Sequence, residues 1–264
     1  MEMMKTITAH SRLDDDSSTV DLKGTAHAGG RPQTKQPAAA EAFPSEPTHV
    51  HALSMTYLHG HRIVACCPDH RITRAYDILR NHIAHSSKRA GSLMIAVTAP
   101  ASRCGTSVTA INLAFSFARS TAGCVLLVDG NGKDPAATSL LGLAPLSILP
   151  RDGHLGGHVR LDAQGVGLDL LRPARSQQRK DQPHQLARDL EQVRQVLQPA
   201  ITIVDLPPML GFDEAPPIVA AADVVVLVVA PRQSTRAEVA VCQTYFQPHQ
   251  TVQVVLNKAQ RHGL

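Results

Sequence analysis

Short runs that are apolar at nearly every position constrain this chain most: Leu93 to Val97, Val125 to Val128, Gly167 to Leu171, Ile201 to Val204, Val224 to Val229 and Val252 to Leu256. A strand with no polar side has no solvent face, so both of its faces must be covered. Between the runs lie stretches with helical spacing, at Val108 to Arg119, Leu186 to Leu197 and Ser234 to Tyr245. In the second of these, Leu186, Leu190, Val193 and Leu197 recur three or four residues apart, which is one face of a helix. Strands alternating with helices predict a doubly wound α/β domain, a mostly parallel sheet with right-handed crossovers and helices on both faces. In such sheets ligands bind beyond the carboxyl ends of the strands, so chemistry is sought just after each run.

The first 61 residues have no such pattern. They contain Asp14-Asp15-Asp16-Ser17-Ser18, Gly29-Gly30 and a stretch rich in Pro, Ala, Gln and Glu from Arg31 to Pro47. Such a segment buries too little apolar surface to offset its ordering entropy, and 1–61 is expected to be a disordered tail ahead of a domain at 62–264. A helix beginning near Pro68 should lead into that domain, with Ile72, Tyr76, Leu79 and Ile83 on its inner face. His49, His51, His59 and His61 form two H-x-H pairs; in a tail with no Cys or acidic ligand nearby they are expected to be solvated.

Composition excludes several function classes. Twenty-six basic against 22 acidic residues give a net charge of +4, which permits nucleic acid without demanding it. Aromatic content of 3% with no Trp disfavours a surface that stacks bases or sugars. The Arg-rich stretch from Arg172 to Lys180 is expected to be a solvated loop, and nucleic acid is not an expected partner. The five cysteines are odd in number and form no C-x-x-C pair, so neither a disulfide framework nor a zinc ribbon is indicated, and the compartment should be reducing. No run approaches the roughly eighteen apolar residues of a membrane span, and the start, Met1-Glu2-Met3-Met4-Lys5, lacks the apolar core of a signal peptide.

After the first run comes Thr98-Ala99-Pro100-Ala101-Ser102-Arg103-Cys104-Gly105-Thr106-Ser107-Val108. A strand, a tight loop with glycine and a helix opened by Thr and Ser form a phosphate-binding loop, whose amides and helix N-terminus attract anions. In the pattern G-x-x-x-x-G-K-[ST] the Lys reaches the β- and γ-phosphates and the Ser or Thr holds Mg²⁺. Gly105 and Ser107 fit, but Thr106 stands where the Lys belongs. Other runs end in Val128-Asp129-Gly130-Asn131, Val204-Asp205-Leu206-Pro207-Pro208 and Leu256-Asn257-Lys258. An Asp at a strand tip beside the loop is where a nucleotide's Mg²⁺, or the attacking group, is held.

With these motifs, residues from about Arg71 to Ala259 resemble the bacterial tyrosine autokinases (BY-kinases) of capsule and exopolysaccharide systems, within the MinD/ParA class of P-loop ATPases. The likeness is nearest to the exosortase-associated branch. That family's loop reads T-S-P-x-P-G-C-G-K-T-V-T-A-I-N-L-A, and Thr98, Pro100, Cys104, Gly105 and Val108 to Ala114 match it. Leu126 to Asp129 with Pro135 is similar to the second Walker motif, A′, and Val204 to Leu210 to Walker B. Val255 to Ala259 is similar to the segment whose Asn contacts adenine. The resemblance implies ATP and Mg²⁺ as ligands, their binding weak or lost where the loop departs from the family. Arg103, Cys104, Gly105, Thr106, Ser107, Val108 and Asn257 would take the nucleotide, Ser107 and Asp205 the metal, and Asp129 would be catalytic if the chain is active. Cys104 sits at a helix N-terminus, a setting that lowers a thiol pKa, yet the family carries Cys there too, which favours packing over redox chemistry.

The departures fall on working positions. Thr106 replaces the loop Lys, Arg103 the preceding Gly, and Asn131 the second acid of A′; none of the seven lysines lies between Lys88 and Lys133. A lost charge-assisted bond to phosphate costs roughly 1.5–3 kcal/mol of binding, and a lost transition-state charge partner costs on the order of 10² to 10³ in rate. Arg103 permits two readings: its guanidinium restores the missing charge, or its side chain obstructs the close backbone approach that Gly allows. In the leading helix the family's ring-forming E-x-x-R-x-x-R is matched by Arg74, Asp77 and Arg80, with acid and base exchanged at the first two; this face forms an interface or is simply solvated. The family's C-terminal tyrosine cluster has no counterpart in Gln260 to Leu264, and the last tyrosine is Tyr245.

The expected function is that of a catalytically impaired kinase-like protein acting by binding in exopolysaccharide synthesis or export. Its partners would be a membrane co-polymerase or chain-length determinant protein, an active paralogue, or further copies of itself. It would be cytoplasmic, held at the inner face of the plasma membrane through a partner. The alternatives are a working Mg·ATP-dependent tyrosine kinase or ATPase, and a ParA/MinD-like positioning ATPase.

Overall fold

Strand β3 (Leu93–Thr98) is buried at every position. Leu93, Ile95 and Val97 enter one hydrophobic core and Met94 and Ala96 the other, the period of two that a strand imposes. The structure is a computed structural model that describes residues 3–8, 50–87, 92–131, 135–143, 157–172 and 185–259. Around β3 are β1 (Met3–Thr8), β2 (Val50–Ala52), α1 (Met55–Gly60), α2 (Thr73–Ser86), α3 (Thr106–Ala118), β4 (Val125–Asp129), α4 (Ala136–Leu140), β5 (Gly157–Ala163) and β6 (Val166–Arg172). They are followed by α5 (Gln185–Leu197), β7 (Ile201–Asp205), α6 (Ala215–Ala221), β8 (Val224–Val229), α7 (Arg236–Gln243) and β9 (Thr251–Ala259).

The strands form one sheet in the order β1-β9-β8-β3-β7-β4-β6-β5-β2. Its interior, from β9 to β6, is parallel throughout. Antiparallel neighbours are confined to β5 beside β6 and β1 beside β9. Residues of α2 and α3, among them Leu79, Ile83, Ile111 and Phe115, fill the core on one face. Leu190, Val193, Ile218 and Cys242, from α5, α6 and α7, fill the other. The expected doubly wound, mostly parallel α/β fold is the one observed. Strand β5 was not expected because its residues alternate in burial at the sheet's flank instead of forming an apolar run.

The expected domain start at residue 62 falls inside the fold. Residues 9–49 lie outside the described residues, but β1 pairs with β9, β2 pairs with β5, and α1 buries Leu58 completely. Two isolated anchors, Leu53 and Leu58, and a six-residue helix are too short to display a period. Among the described residues no helix is long and apolar enough to cross a membrane.

Helix α3 is buried on all sides from Thr109 to Phe117, the mark of a helix enclosed between other layers. At its centre Asn112, fully buried, uses both ends of its amide. Its Oδ1 accepts from the backbone N–H of Val64 (2.8 Å) and Ala65 (2.9 Å), while Nδ2 donates to the carbonyls of Arg62 (3.0 Å) and Val108 (2.8 Å). The segment leading into α2 is thereby fastened to α3. Asn112→Ala should destabilise the chain by about 2–4 kcal/mol, because it strands the buried N–H groups of Val64 and Ala65 at once; urea denaturation of both proteins measures it.

Candidate functional site

The turn from β3 into α3 is held from two sides. On one, the Thr98 hydroxyl donates to the Pro207 carbonyl (2.9 Å), and the N–H groups of Leu206 and Met209 donate to the carbonyls of Val97 (2.9 Å) and Ala99 (2.8 Å). On the other, β9 reaches across: Asn257 Nδ2 donates to the Cys104 carbonyl (2.9 Å) and Lys258 Nζ to the Arg103 carbonyl (2.7 Å). Gly105, at the N-cap of α3, has φ +91°, and a Cβ there would collide with the Asn257 amide. The first N–H groups of α3, Thr106 to Val108, have no intrahelical acceptor and form the positive end of its dipole. This is the backbone geometry of an anion-binding loop.

Lys258 N–H donates to Asn257 Oδ1 (2.8 Å), which fixes the orientation of that amide. A carboxamide has a second N–H and a second lone pair. Together they match the N7 and N6 edge of adenine. Thr106 supplies no charge to the loop, and Arg103, exposed and at φ +63°, takes the left-handed conformation that favours glycine.

Asp129 and Asp205 end β4 and β7 and are register partners. Their exposure is 2% and 1%. Thr138 of α4 donates to Asp129 Oδ2 through both its N–H (2.9 Å) and its hydroxyl (2.6 Å). Asp129 Oδ1 and both carboxylate oxygens of Asp205 have no hydrogen-bond partner. Burial pushes the Asp129 carboxyl above its ordinary range, against the opposing pull of the Thr138 hydroxyl and amide. Burial and then the Asp129 charge push Asp205 well above it, with the Ser107 hydroxyl acting the other way. The two strand ends also meet at Gly130, whose N–H donates to the Asp205 carbonyl (2.9 Å); a Cβ there would lie 2.8 Å from that oxygen. Buried carboxylate oxygens without donors, next to a hydroxyl, suit a hard divalent cation such as Mg²⁺. The donor set fits the metal; the phosphate-facing charge is what the loop lacks.

The helix positions expected at an interface are differently engaged. Asp77 Oδ1 accepts from the Ser116 hydroxyl (2.6 Å), from Arg80 (3.1 Å) and from Arg119 (2.5 Å), and Arg80 also donates to the Ser116 carbonyl (3.0 Å). Asp77 and Arg80 therefore tie α2 to α3 within one chain. Arg74 is exposed. The helical spacing correctly placed these residues on one stretch of α2 but said nothing of Ser116 and Arg119, which come from another helix. Burial acts to raise the Asp77 carboxyl, and the Ser116 hydrogen bond with the Arg119 and Arg80 charges outweighs it, holding the group below its ordinary range.

Cys104 is fully buried, and burial raises its thiol against the lowering influence of hydrogen bonds from the Ala101 backbone and the Ser234 side chain and of the Lys258 charge. His59 lies with Nε2 3.6 Å from the Cys67 sulfur, so a cysteine does stand beside the histidine pairs, while His61 bonds the Tyr57 carbonyl (2.8 Å). Among the described residues no group of three or more His, Cys, Asp or Glu is placed to hold a metal ion. His49, residues 173–180 of the Arg-rich stretch, and 260–264 lie outside the described residues. Sequence reasoning missed Thr138, which sits on a five-residue helix without a period, and Lys258, which was quoted only as the neighbour of Asn257.

No family model and no curated protein matches the chain. Solved structures do. The chimerical protein CapA2B2 superposes with a TM-score of 0.58 at 20% identity, covering 80% of this chain and 93% of that one. The kinase domain of the Escherichia coli tyrosine kinase ETK gives 0.58 at 19%, covering 76% and 81%. The kinase domain of VpsO gives 0.54 at 16%, covering 78% and 100%. The chain has the fold of these tyrosine kinase domains. At such identities the likeness extends to the fold and leaves the chemistry to the residues.

Two outcomes follow from the buried acids. Asp205→Asn should stabilise the ligand-free protein by about 1–3 kcal/mol near neutral pH, since it removes a fully buried carboxylate beside a second acid. An acid whose folded pKa is raised stabilises most below its unfolded value near 3.9 and loses that contribution as pH rises through the folded value, so the advantage of Asn should grow with pH. Thermal melts across pH measure both. Asp77 has the opposite sign: its contribution is present above about pH 3.9 and is lost as pH falls through its lowered folded value. Asp77→Asn should cost about 1–2 kcal/mol at pH 7 and progressively less in acid, read by urea denaturation at pH 7 and pH 3.

Proposed function

We propose that this chain is a catalytically impaired tyrosine-kinase-like P-loop protein that acts by binding, as a regulatory or scaffolding component of exopolysaccharide biosynthesis and export. The observation that carries the reading is the loop itself, a phosphate-binding backbone followed by Thr106 where the phosphate-facing Lys belongs. Support comes from the shared fold with proteins described as kinase domains, one of them of a tyrosine kinase, and from the capsule and exopolysaccharide resemblance of the motifs. In this reading the amides from Gly105 to Val108, with Arg103 and Cys104 beside them, cradle phosphate and Asn257 orients the base. Ser107 and Asp205 hold Mg²⁺, which neutralises phosphate oxygens when bound. Asp129 would stand at the reacting end, held by Thr138, with the Lys position of the loop occupied by the uncharged Thr106.

The binding partner is a membrane co-polymerase or chain-length determinant protein, an active paralogue, or a second copy of the chain. The protein works in the cytoplasm at the inner face of the plasma membrane through that partner.

A second reading, a working Mg·ATP-dependent tyrosine kinase or ATPase, is favoured by the donorless oxygens of Asp205 beside Ser107. One experiment separates the two. The full chain, incubated with labelled ATP and Mg²⁺, should incorporate no phosphotyrosine, whereas calorimetry on Thr106→Lys with Arg103→Gly should give ATP binding about 10- to 100-fold tighter than wild type. Robust phosphotyrosine in the wild type that disappears in Asp129→Ala would overturn the impaired reading.

A further inference from the structure

The loop contains a strained residue and a cation placed to relieve it. Arg103 stands where the resembling loops carry glycine, and it adopts φ +63°. A side chain in that conformation crowds the residue's own carbonyl oxygen against its Cβ, which is why glycine is favoured there. That oxygen is the one that Lys258 Nζ contacts at 2.7 Å. Lys258 is itself at φ +55°, in a strand otherwise extended, and its N–H is taken by the Asn257 side chain. The end of β9 thus departs from regular strand geometry at the residue whose ammonium meets the loop. One residue earlier, Asn257 holds the Cys104 carbonyl, an approach open only because residue 105 lacks a Cβ.

We infer that Lys258 is a positioning residue for the loop: its charge-assisted hydrogen bond to the Arg103 carbonyl holds a non-glycine residue in the left-handed conformation that the phosphate-binding shape requires. An ammonium bonded to a carbonyl is among the stronger single hydrogen bonds available to a side chain. Its acceptor is the group most affected by the unfavourable backbone angle. The pair Arg103 and Lys258 replaces glycine's conformational freedom with an external tether. The inference rests on reading 99–107 as a phosphate-binding loop only for its consequence to a ligand. Loop shape itself is measurable with no ligand present.

The test is a double-variant cycle on the full chain without nucleotide, using wild type, Lys258→Met, Arg103→Gly and the two combined, with Lys258→Arg as the conservative variant. Lys258 is exposed, so these substitutions leave both cores intact. Lys258→Met should lower the melting temperature by roughly 2–5 °C and speed hydrogen exchange of the amides from Ala101 to Ser107 about tenfold. In the Arg103→Gly background the same substitution should lose less than half as much, and Lys258→Arg should retain most of the wild-type protection. Equal losses in both backgrounds, which would make the contribution of Lys258 independent of Arg103, or no loss in either, which would leave it a solvated side chain, would overturn the inference. If ATP fails to bind every variant, the nucleotide role of the loop falls, while the cycle, run without nucleotide, still reports on the tether.

Discussion

Burial of β3 on both faces governs where this protein can do chemistry. A strand with Leu93, Ile95 and Val97 in one core and Met94 and Ala96 in the other has no side to offer a ligand. The same holds for β4 and β7, buried at every position. Polar groups are therefore confined to the strand ends, and the parallel arrangement brings those ends to one rim. Thr98, Asp129, Asp205 and Asn257 meet there because each lies at or near the last residue of its strand. The N-terminus of α3 rises from the same rim, so the fold places helix amides and buried acids on opposite sides of one turn.

What was legible in the sequence follows from that layout. Two-sided burial writes itself as unbroken apolar runs, so the parallel strands were readable, and an Asp ending such a run is conspicuous. β5 escaped because its inner and outer residues alternate at the flank of the sheet. β2 and α1 escaped because three and six residues are too few to establish a period. Spacing placed Asp77 and Arg80 on the expected helix but could not reveal that Ser116 and Arg119 would face them, a contact between residues about forty positions apart. Lys258 escaped for a different reason. Its role depends on the backbone angle of Arg103, and no residue pattern encodes a partner for a strained carbonyl.

The buried acids explain why a loop without its lysine keeps a recognisable site. Asp205 is opposed by little more than the Ser107 hydroxyl, and Asp129 Oδ2 is held by Thr138. Groups so placed oppose folding unless they are protonated or matched by a cation, and both carboxyls are accordingly pushed toward the protonated form. Packing alone would favour Asn or Leu at these positions, as buried ion-pair replacements often do. That the acids sit beside Ser107 under the loop supports a cation-binding reading of this rim, and it separates metal affinity from the fate of residue 106.

The charge balance of the rim then bears on which step survives. A P-loop Lys contributes one full positive charge at the outer phosphates, whereas the N-terminus of a helix supplies roughly half a charge, and at the loop's floor. With Thr106 in place, the proposed site keeps the N-terminus of α3 and a divalent cation held by Ser107 and Asp205, with Arg103 exposed beside the loop and Lys258 Nζ bonded to the Arg103 carbonyl. They favour a bound anion in its ground state. Stabilisation of charge that develops on a transferring phosphoryl group requires a donor fixed at its outer oxygens, and such donors are commonly worth 10² to 10³ in rate. A site that retains the first set and lacks the second is suited to holding a nucleotide more than to spending it, which is the physical argument behind the proposed binding role.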